Sequence, residues 1–358
     1  MKKIGIMTMH RVLNYGSFLQ AYGLKQTIEE LGVQTEFVDY EFEKVLNNEL
    51  KKKCLLKRII DNINLITYLK KKKMLNQFKV EYNNALEKFM NVTSKYNIRP
   101  NVDKLVIGSD EVFNCMQGFP VGYSRELFGF NYDNIDVISY AGSFGHTKLD
   151  ELKKYKIDDE ITDMFFKFKD ISVRDENSFN IIKELTSIEA KIHLDPVLIS
   201  NFSNIKDINV IYKNYIIVYA YPGRLTIDEE KYIKKFAKRH NKKIISIGFF
   251  QRIADYNLIV SPLEVFSYFK MADYVITDTF HGTIFSIKTN TKFCTIIRDS
   301  NKNKLIALLK KMKLENRNVK DLNKIENLYN EDINYSETNK IIKNEREKTI
   351  KYLKNNIL

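Results

Sequence analysis

The sequence has few of the residues that mark fibrous, disordered or disulfide-linked proteins. Its 5 prolines and 13 glycines in 358 residues exclude collagen-like and linker-rich architectures, which need far more of both. Its three cysteines, Cys54, Cys115 and Cys294, lie far apart and lack the spacing of metal ligands. We therefore expect no disulfide framework and no metal site, and we interpret the cysteines as small apolar residues.

Long apolar runs are also absent. No stretch approaches the roughly 20 consecutive apolar residues that span a membrane. The apolar run that follows Lys2 and Lys3 stops at His10 and Arg11, which is too short for a secretory signal. We therefore expect a cytoplasmic protein. A length of 358 residues with 44% hydrophobic residues predicts two folded domains, because a single core rarely grows so large.

Positive charge is present in excess, with a formal net charge of +13. Only 11 of the 58 basic residues are arginines, although the recognition of nucleic-acid phosphates and bases favours arginine. We therefore expect no nucleic-acid partner. The densest basic segment, Lys51–Lys73, has apolar residues between its lysines. Such a segment can lie on an anionic membrane surface or form a solvated helix face, and both interpretations remain open.

The first part of the chain has the pattern of a parallel α/β sheet. An apolar run at Lys3–Met9 precedes a polar turn, apolar residues then recur at helical spacing up to Gly32, and Val33–Tyr40 follows as a second strand. Two strands joined by a crossover helix form the basic unit of a doubly wound sheet. Further strands are predicted at 104–108, 136–141, 170–173 and 191–194, after a helical, lysine-rich insertion at about 44–96. We assign residues 1–200 to this domain.

The pattern restarts after residue 200, which predicts a second domain over residues 201–330. Its strands are predicted at 215–221, 243–248, 274–277 and 293–297, with helices between them. The predicted fold is therefore α/β, with two Rossmann-like doubly wound domains that face each other across a cleft. Residues 331–358 are predicted to contain a C-terminal helix, which either packs back on the first domain or stays in solvent.

Five segments carry a more specific signal. They are NYGSFLQAYGLKQ from Asn14, GSDEVFN from Gly108, SVRDENS from Ser172, LDPVLI from Leu194 and ITDTFHGTIFSI from Ile276. In this order and spacing they resemble the polysaccharide pyruvyl transferase family over nearly the whole chain. The resemblance implies a GT-B-like fold and the transfer of a pyruvyl group from phosphoenolpyruvate to a sugar of a surface glycan, as a ketal. It implies no cofactor, and its partner is a glycan or a lipid- or nucleotide-linked sugar acceptor.

The chemistry implied by this resemblance needs an acid and ligands for an anionic donor. His281 follows a strand and opens a helix, so we expect its ring to face the cleft as the general acid, with helix capping as the alternative. The amides of Gly282 and Thr283 are expected to bind a donor phosphate or carboxylate at the helix N-terminus. Arg174, at the end of another strand, is expected to grip the donor or to pair with a neighbouring acid.

One position on the donor side departs from the family. Several characterised relatives carry an arginine two residues before the histidine, where this chain has Thr279. One expected anion ligand is therefore absent. The candidates to replace it are Arg298, Arg252, Arg224 or a lysine, and the sequence alone leaves the choice open.

The acceptor sugar is expected to bind the first domain. The first strand-to-helix turn contributes Asn14, Tyr15, Gly16 and Ser17, and the GSDEVFN segment contributes Ser109, Asp110, Glu111 and Asn114. Asp110 is the candidate to orient or deprotonate the acceptor hydroxyl, or it caps a following helix. Asp195 is predicted to fix a turn before Pro196.

Two other functions remain as alternatives. One is GT-B-type glycosyl transfer from a nucleotide sugar, and the other is glycan or phosphate binding without catalysis. A nicotinamide or flavin site is disfavoured because the first turn lacks the GxGxxG pattern, although Asp39 ends the second strand where a ribose-binding acid would stand.

Overall fold

Two parallel sheets organise the computed structural model, which describes residues 2–47, 65–203 and 205–358. Cys54 and the part of the Lys51–Lys73 segment up to residue 64 lie outside the described residues. The other two cysteines, Cys115 and Cys294, are buried and unpaired.

The central strands of the first sheet are buried on both faces, as expected for parallel strands covered by helices, whereas the edge strand at 191–192 is exposed. Leu105, Val106 and Ile107, for example, are fully buried in succession. The strands are β1 (Lys3–Met7), β2 (Gln34–Val38), β3 (Lys104–Asp110), β4 (Asp136–Gly142), β5 (Ser172–Val173) and β6 (Lys191–Ile192). Their spatial order is β2-β1-β3-β4-β5-β6, and all neighbouring strands are parallel. The order reverses between β1 and β3, and such a reversal opens a crevice at the carboxyl edge of a sheet.

Helices cover this sheet on both faces. They are α1 (Tyr15–Glu29), α2 (Leu65–Met90), α3 (Leu149–Lys154), α4 (Asp158–Phe165), α5 (Glu176–Thr186) and α6 (Pro196–Ile199). Helix α1 begins at Asn14, whose side chain accepts a hydrogen bond from the amide of Gly16 at 2.7 Å. Asparagine is among the most favourable N-cap residues, so the helix starts inside the segment that the sequence pattern assigns to a polar turn.

The second sheet repeats the same plan. Its strands are β7 (Tyr215–Tyr219), β8 (Lys243–Ile247), β9 (Tyr256–Leu258), β10 (Tyr274–Thr277) and β11 (Phe293–Thr295), in the parallel order β11-β10-β7-β8-β9. Its helices are α7 (Ile227–Arg239), α8 (Val265–Met271), α9 (Phe280–Lys288), α10 (Lys302–Lys311) and α11 (Lys324–Asn330). The order reverses between β7 and β10. The prediction of two doubly wound α/β domains is confirmed, although β9 and helices α3, α4, α5, α6, α10 and α11 were not predicted.

The C-terminal helix α12 (Ser336–Ile357) packs on the first sheet. The hydroxyl of Tyr352 donates to the carbonyl of Ser139 in β4 at 2.8 Å. The hydroxyls of Tyr140 and Thr349 are 3.0 Å apart in the same interface. These buried polar contacts place α12 against the N-terminal domain. Among the described residues, no helix has both the length and the apolar character of a membrane span.

The chain passes between the two domains twice, and both passages are tied to the same place. The ammonium of Lys288, at the end of α9, donates to the carbonyls of Leu198 and Ser200 at 3.1 and 2.5 Å, at the first passage. The hydroxyl of Tyr335, at the second passage, donates to the carbonyl of Thr291 at 2.7 Å. Both passages are therefore hydrogen-bonded to residues at the C-terminal end of α9 or just after it.

His193 lies beneath α12 in a buried, aromatic environment. Its Nδ1 is 2.7 Å from the hydroxyl of Ser172, and its ring packs against Tyr140 and Tyr352 with centroid distances of 5.6 and 4.7 Å. Burial lowers the pKa of His193 from 6.5 to about 4, because the charged imidazolium loses its hydration there.

We expect acid to destabilise the protein through His193. Between pH 6.5 and about 4 the imidazole gains a proton in the unfolded chain but not in the folded one, so the free energy of unfolding falls with the pH. The loss over this window is about 3 kcal/mol. In His193→Gln that contribution is absent, so the stability gap between wild type and variant should narrow as the pH falls. Urea unfolding at several pH values measures the gap, and a constant gap would contradict the assignment.

Candidate active site

A cavity of about 450 Å³ lies between the two domains, at the points where the strand order of each sheet reverses. The N-terminal wall includes Asn14 and Ser17 after β1 and Asp110 at the end of β3, and the C-terminal wall includes Tyr221 after β7 and His281 after β10. Crevices of doubly wound sheets bind ligands at such reversal points. Here the crevices of two sheets open into one shared space.

His281 is held at this cavity by the turn after β10. Thr279 caps α9, since its hydroxyl accepts a hydrogen bond from the amide of Gly282 at 2.9 Å. His281 therefore does not act as the cap. Its side chain is largely buried yet lines the cavity, and its Nε2 has no hydrogen-bond partner among the described residues. A buried polar atom without a hydrogen bond is costly, and the nearest charged group given for this nitrogen is the carboxylate of Asp195, at 3.7 Å.

The backbone of α1 touches the ring of His281. A side chain on Gly16 would overlap the imidazole, because a Cβ built there falls on its Nδ1 and Cγ atoms. Only glycine permits this approach, and its φ is not in the left-handed region, so close contact rather than backbone conformation requires it. Gly16, which was predicted to contact the acceptor sugar, thus forms part of the contact between the domains.

The amides of Gly282 and Thr283 are already in use. The first donates to the hydroxyl of Thr279 at 2.9 Å and the second to the carbonyl of Thr279 at 3.2 Å. All three residues are buried. Because α9 uses both amides for its own first turn, neither has a free N–H in this structure, and their predicted contact with the donor anion stays a prediction.

Arg174 links the two acidic groups nearest to His281. Its Nη1 donates to Asp195 Oδ2 at 2.8 Å, and its Nη2 lies 3.6 Å from Asp110 Oδ1. The guanidinium also lies over the ring of Phe280, 4.7 Å from the centroid. Arg174 thus pairs with acids, which was the alternative to a donor ligand, although it also lines the cavity.

Asp195 does more than fix a turn. It caps α6 by accepting from the amide of Val197 at 3.0 Å, and its Oδ2 lies 3.7 Å from His281 Nε2, an ion-pair distance rather than a hydrogen bond. Burial acts to raise the pKa of Asp195, but His281 and Arg174 hold it below its ordinary value. Because these contacts join residues distant in sequence, only the turn was visible from the LDP motif.

Asp110 and Glu111 both lie at the cavity, where they differ in how strongly they are paired. Asp110 accepts hydrogen bonds from the hydroxyl of Ser17 and the amide of Glu111, each at 2.9 Å. No helix follows it, so it is not a helix cap. Glu111 pairs with Lys304 of the second domain at 2.6 Å. Burial acts to raise the pKa of Glu111, but Lys304 and Arg174 hold it at about 2.

The other predicted acceptor residues have structural partners. Ser109 and Tyr15 do not line the cavity: the first donates to Gln20 at 2.7 Å, and the second bonds to both backbone polar groups of Val260 across the domain interface. Their predicted contact with the acceptor therefore has no support from the positions of these two side chains. Asn114 and Asn14 line the cavity but are bonded, Asn114 to Glu111, Thr147 and Met116, and Asn14 to Gly16 and Tyr221.

The candidates to replace the absent arginine differ in whether they line the cavity and whether they are already paired with an acid. Arg298 donates to both oxygens of Glu229 at 2.8 Å, Arg252 pairs with Glu230 at 2.9 Å, and neither lines the cavity. Arg298 is therefore not the replacement in this structure. Arg224 does line the cavity, stacks on Tyr221 at 4.6 Å and forms no ion pair within the described residues. Lys304 lines it too; the sequence pattern had not placed that residue there, because α10 was not predicted.

Asp39 is not free to bind a ribose. Arg11 donates to both of its oxygens, at 2.5 and 2.7 Å, and His10 lies 3.2 Å from Oδ1. Burial acts to raise the pKa of Asp39, but Arg11 and His10 hold it well below its ordinary value. This carboxylate therefore has a structural ion pair.

Solved structures with a similar fold fall in one class, the two-domain GT-B proteins. The glycotransferase of kitacinnamycin superposes with a TM-score of 0.52 at 9% identity, over 98% of this chain and 97% of that one. The UDP-GlcNAc 2-epimerase from Methanocaldococcus jannaschii gives 0.54 at 14%, over 99% and 100%. Such low identities establish the fold alone. The chain belongs to the polysaccharide pyruvyl transferase family, whose profile matches residues 14–300. No curated protein matches the sequence.

We expect Gly16→Ala to destabilise the protein through His281. The new methyl group must displace the imidazole or separate the domains, and overpacking of this kind costs about 1–3 kcal/mol. The double variant Gly16→Ala/His281→Ala serves as the control, since removing the ring removes the overlap. Urea unfolding of the wild type, both single variants and the double variant completes the cycle. An equal cost of Gly16→Ala in both backgrounds would disprove the contact.

Proposed function

We propose that this protein transfers a pyruvyl group from phosphoenolpyruvate to two hydroxyls of a sugar in a polysaccharide precursor, forming a ketal. Membership of the polysaccharide pyruvyl transferase family supports the class of reaction. The observation that supports the site is the position of His281, which lines a cavity that also contains Arg224 and Lys304 and whose Nε2 has no hydrogen-bond partner within the described residues. An acid and cations in one cavity are the requirements of this chemistry.

The reaction needs one proton at carbon and one leaving group. A proton adds to the methylene carbon of phosphoenolpyruvate, a sugar hydroxyl oxygen bonds to the adjacent carbon, and the carbon–oxygen bond to phosphate breaks. A second hydroxyl of the same sugar then bonds to that carbon and closes the ketal, and its proton leaves on the released phosphate. In the proposed mechanism His281 delivers the first proton from Nε2, and Asp110, at the N-terminal wall, accepts the proton of an acceptor hydroxyl.

The donor phosphate and carboxylate need cations that are not already neutralised. Arg174 is paired with Asp195 and Lys304 with Glu111, whereas Arg224 forms no ion pair within the described residues. We therefore assign Arg224 as the main anion ligand of the donor, in place of the arginine that relatives have at position 279. Arg174 and Lys304 line the same cavity, but the carboxylates of Asp195 and Glu111 offset their charges.

Phosphate release from phosphoenolpyruvate, measured with a panel of nucleotide- and lipid-linked sugars, tests the proposal. His281→Ala should lower kcat by about a hundredfold or more, because a general acid is lost. Arg224→Ala should raise the KM for phosphoenolpyruvate by about tenfold, as expected for a charged hydrogen bond. Arg252→Ala is the matched control, since this exposed arginine pairs with Glu230 away from the cavity.

Two results would refute the function. Acceptor-dependent turnover that survives in His281→Ala would remove the proposed acid. A rise in Tm with a nucleoside diphosphate, with no rise from phosphoenolpyruvate, would favour glycosyl transfer from a nucleotide sugar.

We also propose that α2 touches an anionic membrane surface, where a lipid-linked acceptor would be found. The first turns of α2 expose Leu65, Tyr68 and Leu69 to 69%, 41% and 54% of their surface. Exposed Lys72 and Lys73 follow on the same helix. Apolar side chains beside lysines on one exposed helix are typical of helices that lie on anionic lipid.

Co-sedimentation with vesicles that contain anionic lipid tests this surface. Replacing lysines 70 to 73 with Gln should reduce binding by up to about a thousandfold, because each basic residue near such a surface contributes about 1 kcal/mol. Replacing lysines 231, 234, 235 and 238 of α7 with Gln removes the same charge elsewhere and should leave binding nearly unchanged. Equal effects of the two sets of substitutions would show a dependence on net charge alone.

A further inference from the structure

Two exposed phenylalanines stand beside the cavity on its N-terminal side. Phe119 is 77% exposed and Phe42 is 44% exposed. Their ring centroids are 5.6 Å apart with an interplanar angle of 81°, an edge-to-face contact. Phe119 itself lines the cavity. We call these two residues the aromatic rim.

The turn that presents Phe119 is well defined by hydrogen bonds. The carbonyl of Gly118 accepts from the amides of Val121 and Gly122, both at 3.1 Å. Gly122 has a φ of +60°, and a Cβ there would meet the ring of Phe42 at 2.5 Å, so glycine is required for both reasons. Lys44 and Tyr123 then exchange backbone hydrogen bonds at 3.3 and 2.8 Å. The exposed position of Phe119 is therefore built into the loop.

The rim and the charged groups belong to different domains. Residues 116–121 form one continuous part of the N-terminal wall, whereas Arg224, His281 and Lys304 come from the C-terminal domain. When the C-terminal cations hold the donor anion, the N-terminal wall remains free to bind the acceptor. Phe119 has no polar atom with which to bind an anion, so its partner presents carbon–hydrogen groups.

Polar side chains on the same wall complete a surface suited to a sugar. The amide nitrogen of Gln117 donates to the carbonyl of Glu111 at 2.9 Å, while its oxygen has no hydrogen bond within the described residues. His146 is 3.3 Å from Asn114 through Nδ1 and likewise has no partner for Nε2 there. A hexose ring has one face of carbon–hydrogen groups and an edge of hydroxyls, which matches an aromatic ring next to such groups.

We propose that Phe119 packs against the face of the acceptor sugar and thereby selects which hydroxyl pair points into the cavity. This inference rests on the proposed function, because it concerns the acceptor of that reaction. Phe42 supports the ring of Phe119 edge-on. Phe119 is a specificity residue, and the proton transfers do not depend on it.

The test separates sugar contact from turnover. Saturation-transfer difference NMR with methyl β-glycosides of glucose, galactose and the N-acetylhexosamines measures contact without any reaction. Phe119→Ala should lose most of the saturation transfer to ring protons, and Phe119→Trp should retain it. Phe166→Ala is the matched control, since Phe166 is 59% exposed and does not line the cavity. In the turnover assay Phe119→Ala should raise the acceptor KM by about tenfold with kcat and the phosphoenolpyruvate KM nearly unchanged.

The outcomes distinguish this inference from the proposed function. Sugar contact unchanged in Phe119→Ala would overturn the inference, even while phosphate release from phosphoenolpyruvate continues. Contact that disappears in Phe119→Ala and persists in Phe119→Trp supports it, even for a wild type that releases no phosphate. The same NMR measurement with uridine monophosphate tests whether the ring binds a nucleobase. If Phe119→Ala loses contact with uridine monophosphate and keeps contact with the sugars, the ring binds a nucleobase and the inference is overturned.

Discussion

The contact between the backbone of Gly16 and the imidazole of His281 sets how closely the two domains approach. Each partner lies at the point where its own sheet reverses its strand order, so the contact joins the two crevices into a single cavity. A larger residue at position 16 would hold the crevices apart. The rest of the site depends on this fit, because acid, cations and acceptor wall come from both sides of it.

The charges around the cavity are arranged in pairs that differ in availability. Arg174 is neutralised by Asp195 and lies near Asp110, and Lys304 is neutralised by Glu111 across the domain boundary. Buried ion pairs of this kind fix the positions of their side chains but add little to the free energy of unfolding. Arg224 stands apart from them, stacked on an aromatic ring. Arg224 is therefore the cation on the C-terminal side of the cavity that the donor anion is proposed to meet.

Much of the fold could be predicted from the sequence because apolar runs and helical spacing repeat in strict alternation. The strand Tyr274–Thr277 matches its predicted bounds, and β1, β3, β4 and β7 differ by two residues at most. The strand β9 was missed because it has only three residues and no apolar pattern. Helix α10 was missed although its buried residues Leu305, Leu308 and Leu309 lie at helical spacing. Missing α10 also meant missing Lys304.

The site was only partly predictable, for a different reason. The motifs placed His281, Asp110 and Arg174 at strand ends, and all three line the cavity. Whether a polar side chain is free or already bonded depends on residues far away in the chain, however. Ser109 bonds to Gln20 and Tyr15 to Val260, and no local pattern reveals such partners. The proximity of Asp195 to His281 was likewise not predictable from a local pattern, because the two residues are 86 positions apart in the sequence.

Helix α9 connects the region where the chain passes between the domains to the candidate active site. Its C-terminal end is fastened to both passages of the chain between the domains through Lys288 and Thr291, and its N-terminal turn holds His281. At 1.5 Å per residue the two ends are about 12 Å apart. One short helix therefore fixes the distance between the interdomain connection and the imidazole that lines the cavity.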